Sequence, residues 1–338
     1  MTCKGDRAGG FSSDGPVGQW SGQPHTLLGD IGATNARLAK LIDGQLGDIK
    51  SFEVARFPTF QEFFRTFLND HCSGIRFTDA LLALAGPIDH GRCTLTNSLW
   101  VIDPRELKES FGLDVQIVND FQAVAYSLPS LAASDLKKIG SGKAEEGAPK
   151  VVLGPGSGLG VACLIEHGEN RLVISSEGGH ATLAGNSDRE DAIMKVLRER
   201  FGHASAERAI SGPGLENIFR AIASLDGLNV DQTNAVEITR RALSDECDAA
   251  LEALNTFCAL LGSFAGNVAL TFGARGGVYV AGGISPRIIS FLNRSQFRAR
   301  FEDKGRFRHY LEQIPCYVIV HPGAAFVGLK FLTRASTV

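Results

Sequence analysis

Two segments of this chain, roughly 120 residues apart, repeat one pattern, in which an apolar strand breaks into a glycine-rich turn and then resumes as an apolar strand. They are Leu27-Leu28-Gly29-Asp30-Ile31-Gly32-Ala33-Thr34-Asn35 and Val152-Leu153-Gly154-Pro155-Gly156-Ser157-Gly158-Leu159-Gly160. Such turns present backbone N–H groups to an anion, because glycine reaches φ > 0 and has no side chain to hold a phosphate away. Two of them, one in each half, predict a duplicated fold that grips one polyphosphate from both sides. We therefore expect a nucleotide-binding enzyme whose site lies between two domains.

The composition is typical of a soluble globular protein with two domains. The chain has 338 residues, of which 44% are hydrophobic and 21% charged. A net charge of −3 gives no support to binding of nucleic acid or of a membrane surface. No apolar stretch approaches about 18 residues, the length that spans a membrane. The glycine-rich residues 1–25 contain no hydrophobic segment of a signal peptide, so we expect a flexible extension there and a cytoplasmic protein.

The seven cysteines are scattered and form neither a CxxC pair nor a Cys/His ligand spacing. This pattern predicts reduced thiols, with no disulfide framework and no structural metal site.

Strands alternate with helices along the chain, which indicates an α/β fold. The predicted strands lie in a hairpin over 26–40, at 49–55, at 80–85, at 115–118, in a second strand–turn–strand unit over 151–176, at 278–281 and at 318–320. The predicted helices lie at 57–68, 121–128, 188–201, within 244–270, at 286–292 and at 324–332. Seven charged residues within 298–310 predict a solvated helix face there.

Two common glycine motifs are excluded by their spacing. The dinucleotide fingerprint fails in both registers of the second turn, because Leu159 or Val161 stands where it needs its third glycine. Walker A fails because the only Gly-Lys pair, Gly142-Lys143, has neither the preceding glycine spacing nor a following hydroxyl. Ordinary tight hairpins remain the alternative for each turn alone.

Asn119-Asp120 directly follows an apolar strand, at the position where open α/β sheets place their chemistry. An aspartate there, even with a near-normal pKa, can accept the proton of a substrate hydroxyl as its oxygen attacks a γ-phosphate. Asp120 would equally suit the N-cap of the helix that follows. The residues alone leave the two interpretations open.

Two further polar segments are candidates for binding a polyol. Glu177-Gly178-Gly179-His180 offers hydrogen-bond acceptors and donors to adjacent hydroxyls, although a solvent loop would look the same. In Ser205-Ala206-Glu207-Arg208, the glutamate could instead be a stabilising charge in a first helical turn. Ser211-Gly212-Pro213-Gly214 is a turn to which we assign no chemistry.

Taken in order, these segments resemble the bacterial-type glucokinase family of the actin, hexokinase and Hsp70 ATPase superfamily. The resemblance runs from about Leu27 to the C-terminus. It rests on the segments Gly29-Asp30-Ile31-Gly32-Ala33-Thr34-Asn35-Ala36-Arg37, Leu95-Thr96-Asn97, Asn119-Asp120-Phe121, Gly156-Ser157-Gly158-Leu159-Gly160, Glu177-Gly178-Gly179-His180, Ser205-Ala206-Glu207-Arg208, Ser211-Gly212-Pro213-Gly214-Leu215 and Phe301-Glu302-Asp303-Lys304-Gly305-Arg306-Phe307.

The resemblance implies an ATP-dependent kinase of D-glucose that yields glucose 6-phosphate. Asp120 would be the general base for the 6-hydroxyl, and the other glucose ligands would be Asn119, Glu177, His180 and Glu207. ATP would meet the first turn, with Gly29, Asp30, Ile31, Gly32, Ala33, Thr34 and Asn35, the second turn, with Gly156, Ser157 and Gly158, and an adenosine turn, with Gly282 and Gly283. Mg²⁺ would arrive with the nucleotide, facing Asp30 through water.

The resemblance also implies two ribonuclease-H-like α/β domains with a cleft between them, and a homodimer. The smaller domain would hold 26–133 plus 321–338, and the larger 134–320. Two residues depart from the family pattern. Ala33 stands where many members have a second glycine and needs φ < 0, and Pro155 removes one N–H donor from the second turn.

The alternative function is a nucleotide- and sugar-dependent switch with little turnover. A sugar-responsive repressor is disfavoured, because no cysteine cluster follows His180 and no helix-turn-helix precedes Leu27. Selectivity among hexoses stays open, because mannose, glucosamine and fructose differ from glucose at only one or two hydroxyl positions.

Overall fold

The structure, a computed structural model, describes residues 25–335 apart from 87, 96–98 and 169. The extension expected over 1–25 therefore lies outside the described residues, except for His25 at the start of the first strand. The fifteen strands of the described residues are β1 (His25–Ile31), β2 (Asn35–Ile42), β3 (Gln45–Leu46), β4 (Lys50–Glu53), β5 (Asp79–Leu84), β6 (Ile88–Asp89), β7 (Arg92–Thr94), β8 (Val101–Ile102), β9 (Asp114–Asn119), β10 (Leu136–Ile139), β11 (Lys150–Pro155), β12 (Leu159–His167), β13 (Asn170–Ser176), β14 (Val278–Val280) and β15 (Cys316–Ile319).

Twelve α-helices accompany these strands in the same part of the chain. They are α1 (Phe60–His71), α2 (Pro104–Phe111), α3 (Asp120–Ser127), α4 (Asp188–Phe201), α5 (Ala206–Ala209), α6 (Gly212–Leu225), α7 (Ala235–Leu243), α8 (Asp248–Phe272), α9 (Ile289–Arg294), α10 (Phe297–Glu302), α11 (Arg308–Glu312) and α12 (Ala324–Ala335). Every strand and helix predicted from the sequence is present. The short strands β3, β6, β7, β8 and β10 were not predicted, because two to four residues give no readable alternation.

The strands form two large sheets with a shared local topology. The first has the order β3-β2-β1-β5-β9 with β4 paired to β2, and the second has the order β10-β15-β14-β11-β12-β13. In each, the glycine turn joins an antiparallel hairpin, β1–β2 or β11–β12. The leading strand of each hairpin then pairs in parallel with a later strand, β5 or β14. The repeated strand–turn–strand pattern of the sequence is thus a repeated hairpin in the structure.

Helix α3 lies between the two sheets. Its residue Ala123 packs with α12 and the first sheet, whereas Ala125 packs with Val152, Ala162 and other residues of the second sheet. The crossing of α3 and α12 is close, because a Cβ at Gly328 would lie 1.8 Å from the carbonyl oxygen of Ala123. Each sheet therefore positions the start of α3, where the predicted catalytic residue lies.

The opposite face of the first sheet is covered by α1. Thr59 caps this helix by accepting a hydrogen bond from the Glu62 N–H, as its place before the phenylalanine run predicts. Phe60, Phe63 and Phe64 are fully buried. These rings belong to the hydrophobic core, and core packing is enough to explain their regular spacing.

Helix α8 corrects one expectation of the sequence. By length and composition, α8 could cross a membrane, and it is the one helix of the described residues of which this is true. No such helix was expected from the sequence. Within the protein, 83% of its most apolar 18-residue window is buried. That burial is typical of a core helix, and α8 packs at the centre of the larger hydrophobic cluster.

The charged run over 298–310 is the expected solvated face only in part, because Arg306 and Arg308 are exposed whereas the arginines at its start are largely buried. The side chains of Arg298 and Arg300 are only 14% and 15% exposed. Arg300 forms paired hydrogen bonds of 2.8 and 2.7 Å with the Glu190 carboxylate, and Arg298 donates to the Glu312 and Ile314 carbonyls. Buried charges are stable when they are paired and hydrogen-bonded, which is how these arginines cross-link α10 to its neighbours.

Candidate active site

The predicted catalytic pair lies at the carboxyl end of β9, where α3 begins. β9 runs parallel to β5, and Asn119 is level with Leu84 at that edge of the sheet. The N-cap of α3 is Asn119 rather than Asp120: its Oδ1 accepts hydrogen bonds from the Phe121 and Gln122 N–H groups at 2.9 and 3.2 Å. Asp120 Oδ1 accepts a second bond from Phe121 N–H at 2.8 Å. Asn119, rather than Asp120, is therefore the main N-cap of α3. Because its side-chain oxygen makes the cap, its amide N–H groups can still donate to a ligand.

A cavity of about 540 Å³ opens at this point. Both sheets contribute to its wall, since the lining includes the ends of β5 and β9 as well as the turn between β11 and β12. The lining residues are Ala85, Gly86, Asn119, Asp120, Phe121, Gly154, Gly156, Ser157, Gly158, Leu159, Gly160, Glu177, His180, Glu207 and Gly282.

The cavity brings together most of the site residues predicted from the sequence. All five predicted sugar and catalytic residues line it, together with Gly156, Ser157, Gly158 and Gly282 of the predicted nucleotide site. The first turn, residues 29–35, and Gly283 are not part of its lining. The carboxylate of Asp30 nevertheless lies close enough to Asp120 for its charge to raise the pKa of Asp120.

Asp120 has a strongly altered acidity. Burial, and after it the charges of Asp30 and Glu177, raise the pKa of Asp120 to about 7, although the hydrogen bond from Phe121 N–H opposes the shift. This shift could not be predicted from the sequence, which does not show that the carboxylates of Asp30, Asp120 and Glu177 lie near one another. A base whose pKa lies near neutrality is well matched to proton abstraction from a hydroxyl.

Asp30 is itself held by Arg37, its neighbour across the β1–β2 hairpin. The distance between Arg37 Nη1 and Asp30 Oδ2 is 3.6 Å, and the same nitrogen donates to the Pro322 carbonyl at 3.2 Å. Burial raises the pKa of Asp30 and the guanidinium lowers it. The pair of carboxylates, Asp30 and Asp120, thus forms an electronegative centre that a divalent cation would stabilise.

Glu177 precedes the one-turn 3₁₀ segment Gly178–His180, and His180 ends it. Their side chains are 74% and 60% exposed, and His180 Nε2 lies 3.8 Å from Glu177 Oε2. Gly179 allows this turn to pack tightly, since a Cβ there would lie 2.1 Å from the Leu159 carbonyl oxygen. Both polar groups therefore face open space at the cavity, free to meet hydroxyl groups.

The second glycine turn is used differently from what its sequence suggested. None of Gly154, Gly156, Gly158 and Gly160 adopts a left-handed conformation. The glycines are needed for close contact instead: a Cβ at Gly160 would lie 1.9 Å from the Phe121 ring, and one at Gly154 2.7 Å from the Ala281 backbone. The expectation of positive φ is wrong here and also in the first turn, where neither Gly29 nor Gly32 is left-handed. Ala33 keeps the negative φ that was expected of it.

The N–H groups of the second turn are partly engaged within the protein. Gly156 N–H donates to the Gly158 carbonyl at 2.8 Å, and Leu159 N–H donates to Glu207 Oε2 at 2.9 Å. The tip residues Ser157 and Gly158 are left to present N–H groups to an anion. Beside this turn, Gly282 has φ 84° and packs on the Pro155 carbonyl, where a Cβ would come within 2.4 Å.

Phe121 is the main residue that sequence reasoning missed. Its ring fills the space that Gly160 and Gly154 leave empty, so it connects the helix of Asp120 to the second turn. Part of this contact could be suspected from the sequence. A large aromatic ring follows Asp120 directly, and the alternate glycines of the second turn leave room for such a ring. Their contact could not be inferred without the fold.

The cavity holds a carboxylate with a pKa of about 7, further carboxylate and imidazole side chains, and a glycine turn with N–H groups at its tip, a combination typical of a phosphotransferase acting on a small polyol. The comparisons with known proteins make the assignment specific. A family model described as Glucokinase matches residues 27–336. The chain belongs to the glucokinase family.

Individual relatives agree with this assignment. A glucokinase of Cronobacter sakazakii is 42% identical over 308 residues, covering 90% of this chain and 95% of that protein. A glucokinase of Escherichia fergusonii is 41% identical with the same coverage. The crystal structure of a glucokinase from an Antarctic psychrotroph is 35% identical, with a TM-score of 0.79 over 93% of this chain and 99% of that one.

A more distant structure supports the fold alone. It is a ROK family glucokinase from Streptomyces griseus in complex with glucose and AMPPNP, 19% identical, with a TM-score of 0.64 and coverage of 92% and 99%. The mixed α/β kinase fold predicted from the sequence is confirmed by these structures. The predicted family is confirmed by the family model.

Proposed function

We propose that this chain transfers the γ-phosphoryl group of ATP to the 6-hydroxyl of D-glucose, giving glucose 6-phosphate and ADP, the entry step of glycolysis. Membership of the glucokinase family supports the activity. The observation that carries the mechanism is the convergence of Asp120, pKa about 7, with four polar side chains and the second glycine turn on one cavity. Such a transfer needs a base for the acceptor hydroxyl and groups that hold the phosphates, and the Asp120 carboxylate and the N–H groups of the turn can supply these.

In this mechanism Asp120 accepts the proton of the 6-hydroxyl as its oxygen attacks the γ-phosphorus, and the bond to the β-phosphate oxygen breaks. The other glucose ligands are Asn119, Glu177, His180 and Glu207. Asn119 offers its amide N–H groups because its oxygen caps α3. The remaining groups supply acceptors and one imidazole, which suits a ring of adjacent hydroxyls.

The nucleotide binds, in our proposal, to residues 29–35, to 156–158 and to Gly282 with Gly283. Support comes from the N–H groups at the tip of the second turn and from the narrow approach at Gly282. Asp30, whose carboxylate lies near Asp120, would hold Mg²⁺ through water, and the ion would neutralise charge on the phosphates of ATP. Asp30 thereby orients the nucleotide without direct contact with the sugar.

The fold is, in our proposal, a pair of duplicated ribonuclease-H-like domains with the active site in the cleft between them. The smaller holds 26–133 plus 321–338, since α12 returns to pack on the first sheet, and the larger holds 134–320. Closure of the two around glucose would exclude water, which otherwise competes as the phosphoryl acceptor. We further propose a cytoplasmic homodimer that binds neither nucleic acid nor membrane, consistent with the net charge of −3.

A coupled assay with ATP, Mg²⁺ and a panel of hexoses tests the function. We expect sugar 6-phosphate formation with glucose, and weaker turnover with mannose, glucosamine and fructose. ATP hydrolysis without sugar should be at least 100-fold slower than with glucose, because productive transfer needs the acceptor hydroxyl. Equal ATP hydrolysis with and without sugar, or no turnover of any hexose by protein that binds ATP, would overturn the proposal in favour of a nucleotide-dependent switch.

A further inference from the structure

The carboxylate of Glu207 contacts the nucleotide turn directly. Its Oε2 accepts a hydrogen bond from Leu159 N–H at 2.9 Å, and a Cβ at Gly158 would lie 2.6 Å from the same oxygen. Glu207 lies in the first turn of α5, half-buried, and also lines the cavity. A hydrogen bond from a backbone N–H to an ionised carboxylate is short and stronger than a neutral one.

A second anchor fixes the other end of the same turn. Gly212 N–H, at the start of α6, donates to the Gly156 carbonyl at 2.8 Å. Ser211 caps α6 by accepting from Gly214 N–H at 2.9 Å, and its hydroxyl donates to the Glu207 carbonyl at 2.8 Å. The segment 207–212 is thus one hydrogen-bonded unit that holds the turn at both ends, which gives a role to the Ser211-Gly212-Pro213-Gly214 motif.

We propose, on the basis of the sugar kinase function above, that Glu207 is a positioning residue of the nucleotide turn as well as a sugar contact. A carboxylate has two oxygens, and the geometry divides them: Oε2 holds Leu159 N–H, and Oε1 is left for a sugar hydroxyl. The side chain fixes the direction in which the N–H groups of Ser157 and Gly158 point. One residue therefore couples glucose binding to nucleotide binding, and the coupling acts equally in both directions.

Glu177 is the matched control. It is a carboxylate of the same proposed sugar site, but its side chain is 74% exposed and lies beside His180 rather than against the second turn. Truncation of either glutamate should weaken glucose binding. Only truncation of Glu207 should weaken binding of a nucleotide in the absence of sugar.

The experiment measures binding of Mg-ADP, without sugar, by titration calorimetry. We expect Glu207→Ala to weaken Mg-ADP binding about tenfold, the loss of one charged hydrogen bond. Glu207→Gln should bind within about threefold of the parent protein, because its amide oxygen still accepts from Leu159 N–H. Glu177→Ala should bind Mg-ADP as the parent protein does.

A second variant, in the nucleotide turn, tests the same coupling from the other side and does not depend on Glu207→Ala being folded. In Gly158→Ala the new Cβ displaces the Glu207 carboxylate, so glucose binding without nucleotide should weaken severalfold although no sugar ligand is changed. Thermal unfolding confirms that each variant is folded. Parent-like Mg-ADP binding by folded Glu207→Ala, an equal loss in Glu177→Ala, or unchanged glucose binding by Gly158→Ala would overturn the proposal. These binding measurements need no turnover, so they can fail while the hexose assay succeeds.

Discussion

The two glycine turns share a sequence pattern and a hairpin topology, yet they meet different physical demands. In the second turn, glycine positions receive other parts of the site: the Phe121 ring lies against Gly160, and the Glu207 carboxylate lies against Gly158. In the first turn, a Cβ at Gly29 would meet Leu82 and Leu38 side chains of the sheet core, and one at Gly32 would lie 3.2 Å from the Asn35 carbonyl. The comparison teaches that a repeated motif can preserve a backbone while its glycines serve packing in one copy and the active site in the other.

The largest difference between the turns should appear in Gly160→Ala. The methyl group would overlap the Phe121 ring and push the Asp120 helix away from the second turn, so we expect kcat/KM to fall about 100-fold, because misplacement by about 1 Å is enough for such a loss. Gly32→Ala is the matched variant in the first turn, and its loss should stay within tenfold, since the Asn35 carbonyl need give by only a few tenths of an ångström. Steady-state kinetics checks both, with thermal unfolding as the control for folding.

A double variant, Gly160→Ala with Phe121→Ala, separates shape from folding. Removal of the ring makes room for the methyl group, so the double variant should recover activity relative to Gly160→Ala alone. Equal losses for Gly160→Ala and Gly32→Ala would contradict the distinction between the two turns.

The pH dependence of kcat/KM for glucose sharpens the role of the first turn. Asp120 acts as a base only when ionised, so with a pKa of about 7 the value of kcat/KM should fall tenfold per pH unit below pH 7.

The free energy of unfolding should depend on pH in the opposite direction. Because the folded-state pKa is raised, the folded protein binds the proton more tightly, and the stability from this group is present below about pH 4 and lost as pH rises through 7. Asp120→Asn should therefore raise the melting temperature at pH 8 by a few degrees and leave it nearly unchanged at pH 4. A kinetic midpoint near pH 4 would show that neither burial nor the neighbouring carboxylates raise the pKa of Asp120.

The smallest effect concerns Ala33, which departs from the glycine that the resemblance implies at this position. Ala33 keeps a negative φ, so glycine relieves no strain there and only adds freedom to the unfolded chain. We expect Ala33→Gly to lower the free energy of unfolding by about 0.5–1 kcal/mol and to leave the KM for ATP within twofold. Denaturant unfolding and ATP titration check the two parts. A large improvement in the KM for ATP would show that alanine strains the first turn.

The fold was largely readable from the sequence because its signals are local. The phenylalanine spacing of α1, the Thr59 cap and the apolar strand before Asn119 each depend on neighbouring residues only. The site residues were readable as types, but their interactions were not. That Asn119 caps α3, that burial and Asp30 raise the pKa of Asp120, and that Glu207 holds Leu159 all depend on contacts between segments far apart in the chain.

The role of each glycine was also beyond the sequence. A glycine can be needed for a positive φ or for close packing of another group against the backbone, and the sequence does not distinguish these two roles. The structure assigns close approach to Gly154, Gly158 and Gly160, and positive φ to Gly282. Likewise the charge of Arg300 looked like a surface feature until its partner Glu190, 110 residues earlier, was placed beside it.

The role of Asp120 as the base of a sugar kinase is tested most directly by kcat for Asp120→Asn with glucose and ATP, alongside calorimetry of glucose binding. Asp114→Asn, at the opposite end of the same strand, is the matched control and should behave as the parent protein. We predict that Asp120→Asn lowers kcat by about 10³-fold or more while glucose still binds measurably. A rate for Asp120→Asn close to that of Asp114→Asn would contradict the account.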